Sequence, residues 1–316
     1  MPTLLTPRAG AIIALIAANV VWGTTFVVTK PLLERIPPLT VATTRFAVAV
    51  AILVPLLLLT GRRPALGRMP ALMGFVGVFL VYLCQNAGLE YTTAANGALI
   101  HGGIPALTAV LAALLVGERL SGRNAAGIAT SLVGVTAVVA LTPGAEIGIS
   151  ALGDALVLAS ALALAGYFVV GRRAFADCDP VALAAGVASF GLLFLLPASA
   201  AELVVRGMAQ PTVGDVLGLL YLGAGASALA FVLWGYGLRH LAAGRAAAFA
   251  NLTPLVGVGV AALLLGEPVS AVQLGGGLLI LGGVWLATRE PVVARVLPEL
   301  SVPAGGEALA HEPVAP

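Results

Sequence analysis

Runs of about twenty apolar residues, the length a helix needs to cross a bilayer, follow one another along nearly the whole chain. Short loops that hold most of the charges separate these runs. Of the 316 residues, 60% are hydrophobic and 9% are charged, whereas soluble domains carry about 25% charged residues. So few charges cannot cover a surface that faces water. We therefore predict an all-α integral membrane protein in contact with a lipid bilayer, and without a basic cluster we expect no nucleic-acid partner.

The apolar runs predict ten membrane-spanning helices, near residues 11–30, 39–59, 70–89, 94–116, 124–142, 152–171, 181–204, 214–237, 243–265 and 271–288. Most of the 16 Lys and Arg residues fall in alternate loops and at the two ends. By the positive-inside rule, this places both termini in the cytoplasm. The first run is too long for a signal-peptide core, so we expect an uncleaved first span. Residues 289–316 are polar and rich in proline, which predicts a disordered cytoplasmic tail.

The sequence also repeats itself. At an offset of 149 residues, the recurring pairs are Gly88-Leu89 with Gly237-Leu238, Pro105 with Pro254, Gly117-Glu118 with Gly266-Glu267, Gly127 with Gly276, and Gly134-Val135 with Gly283-Val284. An earlier pair, Phe26-Val27-Val28 with Phe168-Val169-Val170, needs an offset of 142. These matches predict one five-helix repeat at 11–142 and a second at 152–288. Because five is odd, the copies must have opposite orientations, the plan of secondary transporters, which bind substrate near the midplane between the repeats.

Polar and aromatic side chains inside the predicted spans are candidates for substrate binding, because a polar group that faces lipid is costly. The candidates are Trp22, Thr24, Tyr82, Gln85, Asn86, Asn96, His101, Tyr167, Trp234, Tyr236 and Asn251. Trp22 combines an apolar ring with an N–H donor, which suits an amphipathic organic molecule. As alternatives, each aromatic residue could be an anchor or packing residue, and each polar residue could join two helices.

Two prolines and three charged residues complete the candidates. Pro105 and Pro254 fall inside the fourth and ninth spans, where each removes a backbone hydrogen bond, so we predict gating hinges, with a packing kink as the alternative. Arg45 lies within the second span and needs a partner, such as an anionic substrate group, unless its side chain reaches the interface. Glu118 and Glu267 occupy matching helix ends, where we expect structural caps.

Several enzyme and metal sites are excluded by what the sequence lacks. It has no Walker A motif, no serine nucleophile elbow with an evident base, and no local histidine motif for a metal. The aspartates Asp154, Asp177, Asp179 and Asp215 are interpreted as loop or helix-end residues. We therefore predict neither an enzyme nor a bound cofactor or metal. Only His101 and Glu90 then remain as residues that could carry a proton across the membrane.

A known family shares several of these motifs. They are Trp22-Gly23-Thr24-Thr25-Phe26, Arg45, Gly88-Leu89-Glu90-Tyr91-Thr92-Thr93-Ala94-Ala95, Pro105, Gly117-Glu118-Arg119-Leu120, Gly237-Leu238, Pro254 and Gly266-Glu267-Pro268. In order, spacing and duplication they resemble the drug/metabolite transporter superfamily, in its bacterial ten-helix type with two EamA domains. The resemblance covers residues 11–288. One departure is Leu164-Ala165 in the second copy, where the first has Trp22-Gly23.

The resemblance implies a ten-helix inverted-repeat fold in the bacterial inner membrane and the export or exchange of small metabolites, often amino acids. We therefore predict a monomeric secondary transporter, an exporter or facilitator, that alternates access to a central cavity for a small-molecule substrate. Proton antiport and downhill transport both stay open. One alternative is a non-transporting membrane scaffold. Another is a carrier of drugs or phosphorylated sugars, although Arg45 is the only basic residue predicted to reach the cavity.

Overall fold

The computed structural model describes residues 6–118, 120–141, 149–241 and 249–288. No β-strand occurs in these ranges, which confirms the all-α prediction. The predicted tail and the start of the ninth predicted span lie outside them. The helices are α1 (Pro7–Leu32), α2 (Pro38–Leu59), α3 (Arg68–Tyr91, π-helical over Phe75–Leu80), α4 (Ala94–Gly102), α5 (Ile104–Val116), α6 (Gly122–Leu141), α7 (Ile149–Val170), α8 (Arg172–Asp177), α9 (Pro180–Arg206), α10 (Val213–Leu220, then π-helical Tyr221–Leu229, then Ala230–His240), α11 (Leu252–Val260, then π-helical Ala261–Leu265) and α12 (Ala271–Thr288).

Most of these helices are suited to a membrane by length and composition. Seven of those in the described ranges are long and apolar enough to cross it alone, and the pair α4 and α5, bent by 40°, would make an eighth. Two shorter apolar helices, Leu252–Leu265 and Ala271–Ala287, follow near the end. Because these two fall short of a full span, the count of ten remains a prediction.

Local sequence explains where several helices begin and end. At the start of α10, the Thr212 hydroxyl accepts from Asp215 N, and the Asp215 carboxylate accepts from Thr212 N at 2.7 Å. This reciprocal capping box satisfies two backbone donors that the helix leaves free. At the ends of α5 and α11, Gly117 (φ 70°) and Gly266 (φ 65°) adopt the left-handed conformation that residues with a side chain avoid. The two copies of the sequence repeat therefore end this helix in the same way, with a left-handed glycine.

Helices α6 and α12 pack through glycines that the sequence repeat relates to one another. A Cβ added to Gly127 would lie 2.6 Å from Gly283 O, and one added to Gly134 would lie 2.6 Å from Gly276 O. The repeat relates Gly127 to Gly276 and Gly134 to Gly283. Gly127 therefore contacts the repeat equivalent of Gly134, and Gly134 contacts the repeat equivalent of Gly127. Such crossed pairing is the mark of a two-fold axis, and the reversed order shows that the two helices are antiparallel.

A second pair of contacts obeys the same symmetry and builds the centre of the molecule. A Cβ on Gly88 of α3 would lie 3.0 Å from Val157 Cγ2 of α7, and one on Gly237 of α10 would lie 2.5 Å from Leu15 Cδ2 of α1. The offsets of 149 and 142 relate Gly88 to Gly237 and Leu15 to Val157. The two halves thus interleave about a pseudo-two-fold axis, which places α1, α3, α7 and α10 around the centre.

The outer faces of the helices are apolar. Leu59, Val204, Val213 and Leu263 are each more than three-quarters exposed. Large aliphatic side chains at this exposure are costly in water and favourable in hydrocarbon. The polar side chains described below are, by contrast, turned toward neighbouring helices. This distribution matches a helical bundle surrounded by lipid.

Candidate functional site

Arg45 lies about two turns into α2 and is buried, with 2% of its surface exposed. Its Nε donates to Ser227 Oγ at 2.9 Å, and its guanidinium carbon lies 4.6 Å from the ring centroid of Tyr82 and 5.7 Å from that of Phe46. Among the described residues, no carboxylate lies within ion-pair distance of it. Aromatic faces and one hydroxyl stabilise a cation only in part. The guanidinium therefore retains the capacity to bind an anionic group.

An aromatic cluster surrounds Trp22 of α1. The indole N–H donates to Ala226 O at 3.0 Å, which sets the orientation of the ring. The ring centroids of Phe231 and Trp234 each lie 5.4 Å from that of Trp22, in edge-on and tilted arrangements. Trp22 and Trp234 are both half-buried. The sequence-predicted residues Trp22 and Trp234 thus meet and form an apolar wall with polarisable ring faces.

The π-helical segment Tyr221–Leu229 joins these two features. Ala226, which accepts from Trp22, precedes Ser227, which accepts from Arg45. A π-helix widens the turn and disturbs the regular ladder of hydrogen bonds, and such segments are frequent at functional sites. A cation and an aromatic wall therefore flank one turn of α10. Ser227 was not among the site residues predicted from the sequence; its one signal was a small hydroxyl within an apolar run.

The other π-helical segment that precedes the site, Phe75–Leu80, lies in the repeat-related helix α3. The offset of 149 maps it onto residues 224–229, within Tyr221–Leu229, and maps Tyr82 onto Phe231. Tyr82, one of the two aromatic neighbours of Arg45, and Phe231, an aromatic neighbour of Trp22, therefore occupy the same position in the two copies. The distortion belongs to the repeated architecture and recurs beside the candidate site in both halves.

Thr24 lies on the same helix as Trp22 and bonds to the start of the π-helical segment. Its hydroxyl donates to Val21 O at 2.8 Å, and the Tyr221 hydroxyl lies 2.6 Å away. Because the one Thr24 proton is already used, Tyr221 is the donor in this pair. Thr24 therefore holds Tyr221 against α1, beside the aromatic cluster.

Gln85 and Asn86 follow Tyr82 on α3 and differ in their bonding. Asn86 is fully buried, and its Nδ2 donates to Pro38 O at 3.0 Å, while its Oδ1 has no hydrogen-bond partner among the described residues. Gln85 is 5% exposed, and no hydrogen bond joins its amide to another described residue. Asn86 thus anchors the start of α2 to α3, whereas the Gln85 amide has both donors and its acceptor left for a ligand.

Helix α1 is joined to α11 next to Asn251. Thr253 Oγ1 donates to Asn19 Oδ1 at 3.0 Å, and Asn19 is 1% exposed. Asn251 occupies the cap position of α11 and is half-buried, with no capping bond from its side chain. A Cβ on Gly23 would lie 2.8 Å from Thr253 O, so the two backbones are in close contact. Asn251 therefore lies at a tight crossing of the two halves.

The helix break next to Pro105 contacts the other predicted hinge proline, Pro254, near this crossing. Helix α4 ends at Gly102, α5 begins at Ile104, and Pro105 is the second residue of α5, where a missing N–H leaves no bond unmade. Pro254 is the third residue of α11 and is buried. A Cβ on Gly102 would lie 3.1 Å from the Pro254 ring. The break in the fourth predicted span therefore lies just before Pro105 and in contact with Pro254 of the other half.

Three further residues predicted from the sequence are His101, Tyr167 and Tyr236. His101 Nε2 lies 2.7 Å from Ser160 Oγ, and because that hydroxyl donates to Val157 O, the histidine is the donor. Tyr167 is 7% exposed within a packed apolar cluster. Tyr236 is 40% exposed and its ring contacts His240. The structure does not bring His101 or Tyr236 together with Arg45, whereas Tyr167 belongs to the same cluster as Phe46 and Tyr82, the two aromatic neighbours of Arg45.

Asp154 lies close to the start of its helix, as interpreted from the sequence, but its burial was not expected. It lies inside α7 with 1% of its surface exposed. Its carboxylate accepts from the Thr92 hydroxyl and, at 3.1 and 3.3 Å, from Asn96 Nδ2. Gln273 Nε2 donates to Asn96 Oδ1 at 2.8 Å. The predicted substrate residue Asn96 is thus fully occupied by a buried network, because three helices cross there.

The two repeat-related glutamates make different contacts. The Glu267 carboxylate accepts from Ala94 N at 2.9 Å and from Ala95 N at 3.0 Å, the first two donors of α4. Glu118 forms an ion pair with Arg172. Both lie at the ends of helices, away from Arg45 and Trp22.

Known proteins resemble this chain over most of its length. Residues 9–140 and 151–289 match the model of the EamA-like transporter family. The chain is 31% identical over 289 residues to a probable terminal-alkyne amino-acid exporter of Streptantibioticus cattleyicolor, covering 90% of this chain and 95% of that protein. It is 30% identical over 281 residues to a probable amino-acid metabolite efflux pump of Salmonella typhimurium, covering 84% and 91%. A solved crystal structure with 21% identity and a TM-score of 0.65 covers 89% of this chain and 99% of its own, and shares the fold. With both matched segments and the shared fold in place, the chain belongs to the EamA-like transporter family.

Proposed function

We propose that this protein exports small amphipathic carboxylates, with amino acids and their relatives as the first class, across the bacterial inner membrane. Both termini lie in the cytoplasm, and substrate binds between the two repeats near Arg45 and Trp22. No cofactor takes part, and the monomer is the transporting unit. The buried Arg45 guanidinium, which has no carboxylate partner among the described residues, is the observation that carries the proposal.

The charge of the site supports a carboxylate as the recognised group. A buried cation without a counter-ion is costly, and an incoming carboxylate would offset that cost with charge-assisted hydrogen bonds. Arg45 Nε is already engaged with Ser227, which leaves the two terminal nitrogens of the guanidinium for such a group. Sugar phosphates carry more charge and would need further cations. A single arginine therefore fits a monocarboxylate better.

The aromatic cluster supports an apolar body on the same substrate. Arg45 would bind the charged group of the substrate. The rings of Trp22, Phe231 and Trp234 would bury its apolar part. Gln85 adds an unengaged amide, suited to the amino group of an amino acid through its carbonyl oxygen. The names of the relatives, an amino-acid exporter and an amino-acid metabolite efflux pump, support the same class.

The two-fold arrangement supports alternating access as the mechanism. Halves related by such an axis can exchange conformations, so that a site between them opens first to one side and then to the other. The break between α4 and α5, beside Pro254, gives the halves a place to move. Close glycine contacts between α6 and α12 allow helices to slide with little side-chain rearrangement.

Counterflow in proteoliposomes tests the proposal. Labelled neutral amino acids are compared with the matched amines that lack the carboxylate, in the parent protein and in Arg45→Met. We expect saturable exchange of amino acids and none of the amines. Because hydrogen bonds to charged groups contribute about 1.5–3 kcal/mol, the KM should rise at least about tenfold in Arg45→Met.

Arg62→Met is the control, since Arg62 pairs with Asp179 on the surface at 3.0 Å. It should exchange as the parent does. Equal exchange of amines and amino acids, or an unchanged KM in Arg45→Met, would contradict the carboxylate assignment. If neither the amino acids nor the amines are exchanged, the non-transporting alternative is favoured.

A further inference from the structure

Residues 89–96 link α3 to α4, and we name this segment the α3–α4 elbow. Side chains from several other helices converge on it. Lys30 Nζ donates to the carbonyls of Leu89 and Thr92 at 2.7 Å and of Glu90 at 3.3 Å. Leu89 and Glu90 belong to the last turn of α3 and Thr92 is its C-cap, where the helix dipole favours a positive charge. Because Lys30 lies in the last turn of α1, these hydrogen bonds join the end of α1 to the end of α3.

The start of α4 is held from the other half of the chain. Thr93 Oγ1 caps the helix locally by accepting from Asn96 N at 3.1 Å. Glu267 then takes the two donors that this local cap leaves free, those of Ala94 and Ala95. A carboxylate at a helix N-terminus is stabilised by hydrogen bonds and by the helix dipole. A cation on α1 and an anion after α11 therefore hold opposite ends of one elbow.

Further contacts close the same region. Arg206 of α9 donates to the Glu90 carboxylate at 2.7 Å, and Gln273 of α12 donates to Asn96. Because Lys30 lies at the end of α1 remote from the N-terminus, the elbow lies at the membrane face opposite the N-terminus. The elbow thus joins α1, α3, α4, α9 and α12 at one membrane face.

The sequence repeat supplies an independent comparison. The offset of 142 relates Lys30 to Arg172, and the offset of 149 relates Glu267 to Glu118. In the structure, Arg172 and Glu118 form an ion pair with each other. At one membrane face, Lys30 and Glu267 therefore bind the α3–α4 elbow. At the opposite face, the residues at the corresponding positions, Arg172 and Glu118, form an ion pair. A cation and a carboxylate at these positions therefore recur in both copies of the repeat.

We propose that Lys30 and Glu267 form a lock on the α3–α4 elbow, and that release of this lock opens the Arg45 site to the face opposite the N-terminus. The proposal rests on the proposed function, since a gate serves a transported substrate. In this structure the lock is closed. Lys30 and Glu267 are positioning residues: they contact the elbow and set the side from which the site is reached.

Thiol labelling tests the lock without any substrate. The reporter is Thr24→Cys in a background of Cys84→Ser and Cys178→Ser, because Thr24 lies on α1 six residues before Lys30, about 9 Å deeper along the helix axis. A membrane-impermeant maleimide is added to right-side-out vesicles. We expect Glu267→Gln and Lys30→Met each to raise the labelling rate about tenfold, as the loss of charge-assisted hydrogen bonds shifts the population toward the open state.

Glu34→Gln is the matched control, because Glu34 is an exposed carboxylate just after α1 at the same face. It should label at the parent rate. Unchanged rates in both lock variants, or an equal rise in Glu34→Gln, would overturn the proposal. Gel filtration and thermal unfolding of each variant show whether it is folded, and Lys30→Met serves as a separate route should Glu267→Gln fail to fold.

The two proposals fail in different ways. If labelling rises in the lock variants while no compound is exchanged by counterflow, the gate stands and the substrate assignment falls. If amino acids are exchanged normally and labelling is unaffected by either variant, the lock is wrong and the transport function stands.

Discussion

Arg45 Nε donates to Ser227 Oγ at 2.9 Å, and the two residues belong to opposite copies of the repeat. The symmetry shows what stands opposite Arg45. A Cβ on Gly74 would lie 2.8 Å from Val187 O, and one on the repeat-related Gly223 would lie 2.8 Å from Arg45 O. Val187 therefore occupies the position of Arg45 in the second copy. The backbone is symmetric at this level, but the charge is not, so the site presents one cation to one side of its substrate.

The Arg45–Ser227 bond should matter for substrate affinity. In Ser227→Ala, the guanidinium loses the partner that orients it, and a hydrogen bond to a charged group contributes about 1.5–3 kcal/mol. We expect the KM for the exchanged amino acid to rise about tenfold or more in counterflow, with little change in the maximal rate. Ser189→Ala is the control, because the Ser189 hydroxyl only donates to Ala185 O within α9. A KM equal to that of the parent in Ser227→Ala would show that Ser227 does not orient Arg45.

Trp22 should contribute through both its ring and its N–H. Trp22→Phe keeps an aromatic ring but leaves Ala226 O without its donor, whereas Trp22→Leu also removes the contacts with Phe231 and Trp234. Aromatic pairs contribute about 0.5–1.5 kcal/mol, so Leu should weaken binding of aromatic amino acids about two- to tenfold more than Phe. Competition by unlabelled substrates in counterflow measures this order. Trp285→Phe, on the half-exposed face of α12, should have no effect; equal losses in Phe and Leu would contradict a role for the ring.

The glycine contacts between α6 and α12 should be required for stability. A Cβ on Gly276 would lie 2.7 Å from Val138 Cγ2 and 3.0 Å from Gly134 O, whereas one on the adjacent Gly275 meets nothing within 4 Å. Overpacking costs about 1–3 kcal/mol, so Gly276→Ala should lower the Tm in detergent. Gly275→Ala should leave the Tm unchanged or raise it, since alanine favours helix. Equal Tm values for the two variants would argue against the close crossing.

Asp154 should stabilise the protein through its two oxygens. The carboxylate accepts from Thr92 and Asn96, and an asparagine would present an amide N–H₂ group where an acceptor is needed. An unsatisfied buried polar group costs about 1–3 kcal/mol, so we expect a lower Tm for Asp154→Asn in detergent. Asp177→Asn, at an exposed position, is the control. If Asp154→Asn unfolds at the parent temperature, the network does not hold the three helices together.

Much of the architecture followed from the sequence alone. A membrane helix must satisfy its backbone hydrogen bonds within itself, so each apolar run had to become a helix whatever its neighbours. The offset of 149 residues relates Gly127 to Gly276 and Gly134 to Gly283, and in the structure Gly127 contacts Gly283 and Gly134 contacts Gly276. Arg45 stood out because a charge inside an apolar run is rare and needs a partner.

The identity of the partners was decided by tertiary structure. Which side chains meet depends on the rotation of each helix and on the depth at which it crosses its neighbours, and no local pattern contains either. Thus Ser227 met Arg45, and Asp154, close to the start of its helix, became buried between Thr92 and Asn96. Tyr236, by contrast, is 40% exposed, and its ring lies beside that of His240. Close packing at the glycines sets those rotations, and with them the chemistry of the site.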